Sequence, residues 1–192
     1  MIPNSQYYNK WYGKRGWRGA TIISNAIGQG EVLATPMQIA NFCATIANRG
    51  WFITPHLVKS VKGQGPDTLY TKKRLTPIDS SFYKYVVEGM RGATSIGTAQ
   101  GVLVPGIEIC GKTGTAQNSA GPDHSIFMCF APAQKPRIAL VVFIENGGFG
   151  ATWAVPTASL ILEKYLKGSV DKHRLWMEQR LLNANLMKFV PN

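Results

Sequence analysis

Ile107-Glu108-Ile109-Cys110-Gly111-Lys112-Thr113-Gly114-Thr115-Ala116-Gln117-Asn118 changes character halfway along. Apolar and β-branched residues open it as a short strand, and from Gly111 onward only Lys112 and two threonines stand between glycines. Without a Cβ at Gly111 or Gly114 a second backbone can approach closely, which a strand edge needs when it accepts an extended peptide. Lys112 adds a fixed positive charge. The hydroxyls of Thr113 and Thr115, with exposed backbone N–H groups, are donors for a carboxylate or a developing oxyanion. The stretch reads as an anion-receiving strand edge.

The chain around it has 192 residues, 45% hydrophobic and 16% charged, enough for one domain with a real core. Its longest apolar run, Ile138 to Ile144, has the length of a strand. A membrane helix needs about 20 residues, so none is expected. The start, Met1-Ile2-Pro3-Asn4, leads into polar and aromatic residues and does not read as a signal peptide. Twenty-one Lys and Arg against ten Asp and Glu give +11. That charge favours an anionic partner, whether nucleic acid, lipid headgroups or an acidic polymer, without choosing among them. Cys43, Cys110 and Cys129 are unclustered and odd in number, so they form neither a zinc set nor a disulfide framework. They read as buried small hydrophobes, although Cys110 and Cys129 could face each other across a hairpin. No metal or cofactor motif is present. Gly28-Gln29-Gly30 lacks the Gly-Lys-Ser/Thr ending of a nucleotide loop.

Taken in order, residues 1 to 19 read as irregular, with Lys10, Trp11, Tyr12, Lys14, Arg15, Trp17 and Arg18 interleaving charge and aromatic rings. Such a mixture either stacks on bases or sugars or covers a core while its charges stay solvated. Thr35, Pro36 and Gln38 then make a helix start with a capping box. Met37, Ile39, Ala40, Cys43, Ala44 and Ala47 form its predicted buried face, and Asn48-Arg49-Gly50 ends it. Trp51 to Val61 is extended, His56 within it reads as a surface or hydrogen-bonded histidine, and 62 to 74 reads as an exposed loop or hairpin tip. A helix from about Ser80 to Arg91 has Phe82, Tyr83, Val86, Val87 and Met90 as its predicted stripe. A return strand at Ile126 to Pro132 follows a turn, and Arg137 to Asn146 is apolar enough to be covered on both faces. The last helices are expected at Pro156 to Leu166, packed through Leu160, Ile161, Tyr165 and Leu166, and within 169 to 192, packed through Leu175, Trp176, Leu182, Leu186 and Phe189.

Three groups of residues make a resemblance specific: Gly28-Gln29-Gly30 followed by Thr35-Pro36-Met37-Gln38-Ile39-Ala40, then Ala47-Asn48-Arg49-Gly50, and finally Lys112-Thr113-Gly114. In this order and spacing the chain resembles the transpeptidase domain of class B penicillin-binding proteins, elongation type. The resemblance implies an α+β fold, part of the transpeptidase and β-lactamase-like architecture with an antiparallel sheet against helices. Residues 1-167 would be its C-terminal portion and 168-192 a helical extension. It implies serine acyl transfer, in which a serine attacks a D-alanyl carbonyl of a peptidoglycan stem peptide and β-lactams trap the acyl-enzyme. Lys112 and Thr115 would be catalytic, the latter through its backbone N–H in the oxyanion hole, while Thr113, Gly114 and Thr115 would hold the substrate or antibiotic carboxylate.

The family's nucleophile lies upstream of a Ser-x-Asn motif, and no Ser-x-Asn occurs in this sequence. Ser81-Phe82-Tyr83-Lys84 has the Ser-x-x-Lys spacing, but Ser169-Val170-Asp171-Lys172 has it too, and Tyr7-Tyr8-Asn9 is a formal Tyr-x-Asn. The attacking serine is therefore expected outside this chain, and the chain alone is expected to be inactive. By the same resemblance there is no cofactor and no nucleic-acid partner, and other cell-wall synthesis proteins are possible partners. The membrane is reached only through an N-terminal anchor outside the chain, and the enzyme works on the periplasmic side of the cytoplasmic membrane. Two other classes remain open: a β-lactamase or D,D-carboxypeptidase relative sharing Lys-Thr-Gly, and a non-enzymatic basic binding module.

Overall fold

A computed structural model describes residues 2–189, and the chain divides into two units between Thr35 and Pro36. The first unit holds α1 (Ser5–Tyr12) and α2 (Gly19–Ala26). Residues 1 to 19 are thus more regular than expected. The reason is Asn4, whose side chain caps α1 by accepting the Tyr7 N–H at 2.9 Å. The aromatic residues turn on one another: Tyr8 is buried, its ring centroid 5.5 Å from that of Trp17, and Trp17 Nε1 donates to Asn9 Oδ1 at 2.9 Å. Asn9 of the formal Tyr-x-Asn is therefore a structural acceptor. The Tyr12 and Tyr8 hydroxyls donate to the two Glu31 oxygens at 2.7 and 2.8 Å, holding that carboxyl below its ordinary value.

The second unit contains α3 (Pro36–Ala47), β1 (Trp51–Phe52), β2 (Arg74–Leu75), α4 (Tyr83–Ser95), β3 (Cys110–Ala116), β4 (His124–Ala131), β5 (Ile138–Ile144), α5 (Ala154–Lys167) and α6 (Leu175–Leu182). Strands β3, β4 and β5 form an antiparallel meander with β4 central, and β1 with β2 makes a separate two-stranded ribbon. Because side chains alternate along a strand, β4 serves two cores at once. Phe127, Cys129 and Ala131 pack with Val155, Ala158 and Leu162 of α5, while Phe130 packs with Cys43 and Ile46 of α3 and Tyr83 and Met90 of α4. The result is a helix layer, a sheet and a second helix layer.

The helices sit where their caps and glycines put them. Arg49 takes a left-handed φ of 62° beyond α3, and its guanidinium donates to the Ile46, Ala47 and Ala133 carbonyls, closing the helix end. Gly168 ends α5 at a φ of 87°. Burial departs from the expected stripes. On α3, Ile46 and Thr45 are buried whereas Met37 is exposed. On α4, Phe82 and Val86 face solvent because Ser80 to Phe82 is a short 3-10 turn that rotates the start of the stripe. Ile161 and Tyr165 of α5 are likewise exposed. Strand β5 is covered on both faces as expected, by α5 on one and α3 on the other, but its residues are only partly buried because its outer border is open.

Beyond α5 the expected apolar packing gives way to charge. Trp176 and Leu182 are exposed, Leu175 partly so, and Phe189's side chain lies outside the described residues. Arg174 donates to the fully buried Glu163 at 2.6 Å and to Ser159 Oγ, whose own hydroxyl donates to the Val102 carbonyl at 3.0 Å. Arg180 stacks 5.0 Å over the Trp153 ring.

Candidate active site

Strand β3 pairs with β4 alone among the described strands, so its outer border is unpaired. The register sets Lys112 opposite Met128, Thr113 opposite Phe127 and Thr115 opposite Ser125. Alternation therefore places Lys112 and Gly114 on one face and Thr113 and Thr115 on the other. Lys112 is exposed, and its Nζ donates to the Thr113 carbonyl at 2.8 Å, keeping the ammonium at the strand's rim. Thr113 Oγ1 lies 2.9 Å from Thr98 Oγ1, a hydroxyl pair that fixes the Thr113 rotamer. Thr98 comes from the short connection after α4, and the sequence reading passed over it as a site residue. A cation, two hydroxyls and the N–H groups of an edge strand thus line one border, a set of donors with no carboxylate among them.

The two glycines have different roles from those expected. At Gly111 a Cβ would collide with the Phe127 ring, so the space is filled by the chain's own core and is closed to a ligand. At Gly114 a second backbone does come close, and it belongs to the same chain. A Cβ on Gly150 would stand 2.7 Å from the Gly114 carbonyl oxygen and 2.5 Å from that of Ile126. The side of Gly114 facing Ile126 has ordinary clearance, 3.4 Å to the Ile126 Cβ.

The remaining candidates resolve as structural groups. Hydrogen bonds from Ser81 hold the Asp79 carboxyl below its ordinary value, the backbone N–H donating at 2.8 Å, and Lys84 lies 4.8 Å over the Tyr85 ring. Both thus have partners other than each other. His56 Nδ1 is 3.0 Å from the Thr54 carbonyl. Cys110 pairs with Phe130 and Cys129 with Gly111, one position out of step, so the two thiols point to opposite faces and no bridge joins them. All three thiols are free and buried. Burial pushes Cys43 up to about 12 and Cys110 to about 11. Among the described residues no cluster of His, Cys, Asp and Glu is fit to hold a metal.

An open strand border carrying Lys-Thr-Gly-Thr, backed by helices on both faces of the sheet, offers donors to an anionic group of an extended ligand. The chain belongs to the penicillin-binding protein transpeptidase domain family, whose model matches residues 4–163. It is 35% identical over 173 residues to the peptidoglycan D,D-transpeptidase MrdA of Acinetobacter baumannii, covering 80% of this chain and 25% of that protein. Pseudomonas aeruginosa PBP2, solved in complex with WCK 5153, superposes with a TM-score of 0.73 at 34% identity, covering 89% of this chain and 37% of that one. Penicillin-binding protein A from M. tuberculosis, as its imipenem acyl-enzyme complex, gives a TM-score of 0.60 at 35% identity over 73% of this chain and 33% of that one. The chain thus spans between a quarter and a little over a third of the proteins it matches.

Proposed function

We propose that these residues form the Lys-Thr-Gly portion of a peptidoglycan D,D-transpeptidase, whose attacking serine is supplied by polypeptide outside the 192 residues. The observation that carries the reading is the exposed Lys112 on the unpaired border of β3, with Thr113 and Thr115 on the same strand. In this reading the stem peptide, or a β-lactam, lies along β3. The Thr113 and Thr115 hydroxyls receive its carboxylate, the Thr115 N–H stabilises the oxyanion, and the Lys112 charge supports proton transfer around the serine. Gly114 keeps the strand surface low on the side of Ile126. Other cell-wall synthesis proteins are its partners, and the work is done on the periplasmic side of the cytoplasmic membrane. The imipenem acyl-enzyme of the mycobacterial relative supports the choice of β-lactam as probe.

A labelled penicillin tests this directly. The full-length protein that carries this chain is expected to form a serine-linked adduct, and Lys112→Ala to slow its formation about 100- to 1,000-fold, as for loss of one transition-state donor. The 192-residue chain alone is expected to form none. A covalent adduct at Ser81 would overturn the assignment of the nucleophile.

A further inference from the structure

Ser125 is fully buried on β4, directly across from Thr115, and its hydroxyl makes one bond to the loop between β5 and α5 and one to the first residue of α5. Oγ donates to the Phe149 carbonyl at 3.0 Å and accepts the Ala154 N–H at 3.2 Å. The loop is also tied by Gly148 N–H to the Asp123 carbonyl at 2.7 Å and by Val155 N–H to the Gly150 carbonyl at 3.0 Å. So anchored, the loop lays Gly150 against the Gly114 and Ile126 backbones, with no room for even a methyl group. Strand β3 has a partner on one side only, and such a border is free to flex unless something bears on its face.

We propose that Gly150 and Ser125 are positioning residues for the Lys-Thr-Gly border: together they seat the β5–α5 loop on Gly114, and so set the height of the Thr115 N–H and of the Thr113 and Thr115 hydroxyls. This rests on the carboxylate-binding reading of that border. Neither residue touches the ligand; each acts through the Gly114–Thr115 backbone. Displacing a reacting group by about 1 Å costs on the order of 100-fold in rate, so a loop lifted by one methyl group is enough to be read kinetically.

The test uses the full-length protein and two probes, a fluorescent penicillin and its methyl ester, with acylation rate constants referred to titrated active sites. In the unsubstituted protein the free acid reacts faster than the ester, and Thr115→Val abolishes that preference. If the unsubstituted protein shows no preference, the carboxylate reading itself fails. Given that preference, Gly150→Ala is expected to slow the acid about 10- to 100-fold and the ester far less. Ser125→Ala, which removes only the hydroxyl and retains the packing, is expected to shift the ratio the same way by about 10-fold. Gly89→Ala, on α4 with nothing within 4 Å of the added Cβ, is expected to leave the ratio unchanged. A merely structural role would lower the melting temperature and the number of titratable sites while leaving the acid-to-ester ratio intact. An unchanged ratio in Ser125→Ala and in whatever Gly150→Ala folds would overturn the proposal.

Discussion

The sheet of the second unit has two borders, and they are built from opposite materials. On β3 an exposed lysine is followed by a half-buried threonine, glycine and threonine; on β5 all seven residues, Ile138 to Ile144, are apolar. Both flank the same central strand. Charge and glycine blunt β3 against pairing with another copy of itself and leave donors facing outward. Apolar β5 instead presses Ile138, Leu140 and Val142 onto the α5-side core, with Ala139 turned to the other core. The contrast lies in side-chain chemistry and not in burial, since each border has a single exposed residue, Lys112 on β3 and Phe143 on β5. Stability is expected to reside in β4 and β5, and ligand recognition in β3.

The strongest way to break this division is Phe127→Ala on β4. It is expected to cost about 3–5 kcal/mol in chemical unfolding, because the ring is fully buried and fills the space above Gly111. Next in size is Lys112→Ala. Its effect on acylation of the full-length protein, stated above, corresponds to about 2.7–4 kcal/mol, whereas its unfolding free energy should move by less than about 0.5 kcal/mol, as for an exposed side chain. Lost stability of more than that in Lys112→Ala would show β3 to be structural after all. Leu140→Ala, half-buried on β5, sharpens the contrast from the other side, with an expected loss of about 1–2 kcal/mol in stability and an unchanged acylation rate.

The last effect is visible only in its pH dependence and concerns the root of β3 and the α3 core beside it. Burial raises the Cys110 thiol to about 11 and Cys43 to about 12. The folded state therefore holds these protons more tightly than the unfolded chain. Their contribution is complete below the ordinary thiol range near 9 and is lost as pH rises through 11 to 12, with a slope of at most about 1.4 kcal/mol per pH unit for each thiol. Unfolding of the protein and its Cys43→Ala, Cys110→Ala variant at pH 8 and pH 10 measures it. If the two curves stay parallel between those values, the root of the strand is as accessible as its rim.

Much of this architecture was legible because it rests on local chemistry. Pro36, Gly168 and the run from Ile138 to Ile144 fix their elements almost unaided. The Lys112 border was legible for the same reason, since a lysine between glycines has few other places to go. Long-range partners were not. Thr98 meets Thr113 only through the turn that follows α4, and Gly150 shows its importance only when Gly114 is seen beneath it. The same holds for Glu163, an acidic residue in an amphipathic helix that looks solvent-facing until Arg174 is placed over it. Asn4 could have been found: an asparagine three residues before Tyr7 is a capping signal, overlooked because the basic and aromatic residues after it suggested a loop.

Glu163 is also the last residue that the family match reaches, and its countercharge sits eleven positions later. An experimenter who shortened this polypeptide where recognisable similarity stops would strand an anion in an oily interior with only a peripheral lysine, Lys167, or nothing at all, to balance it. The segment that similarity treats as an appendage is, in electrical terms, the other half of the last helix of the body it follows.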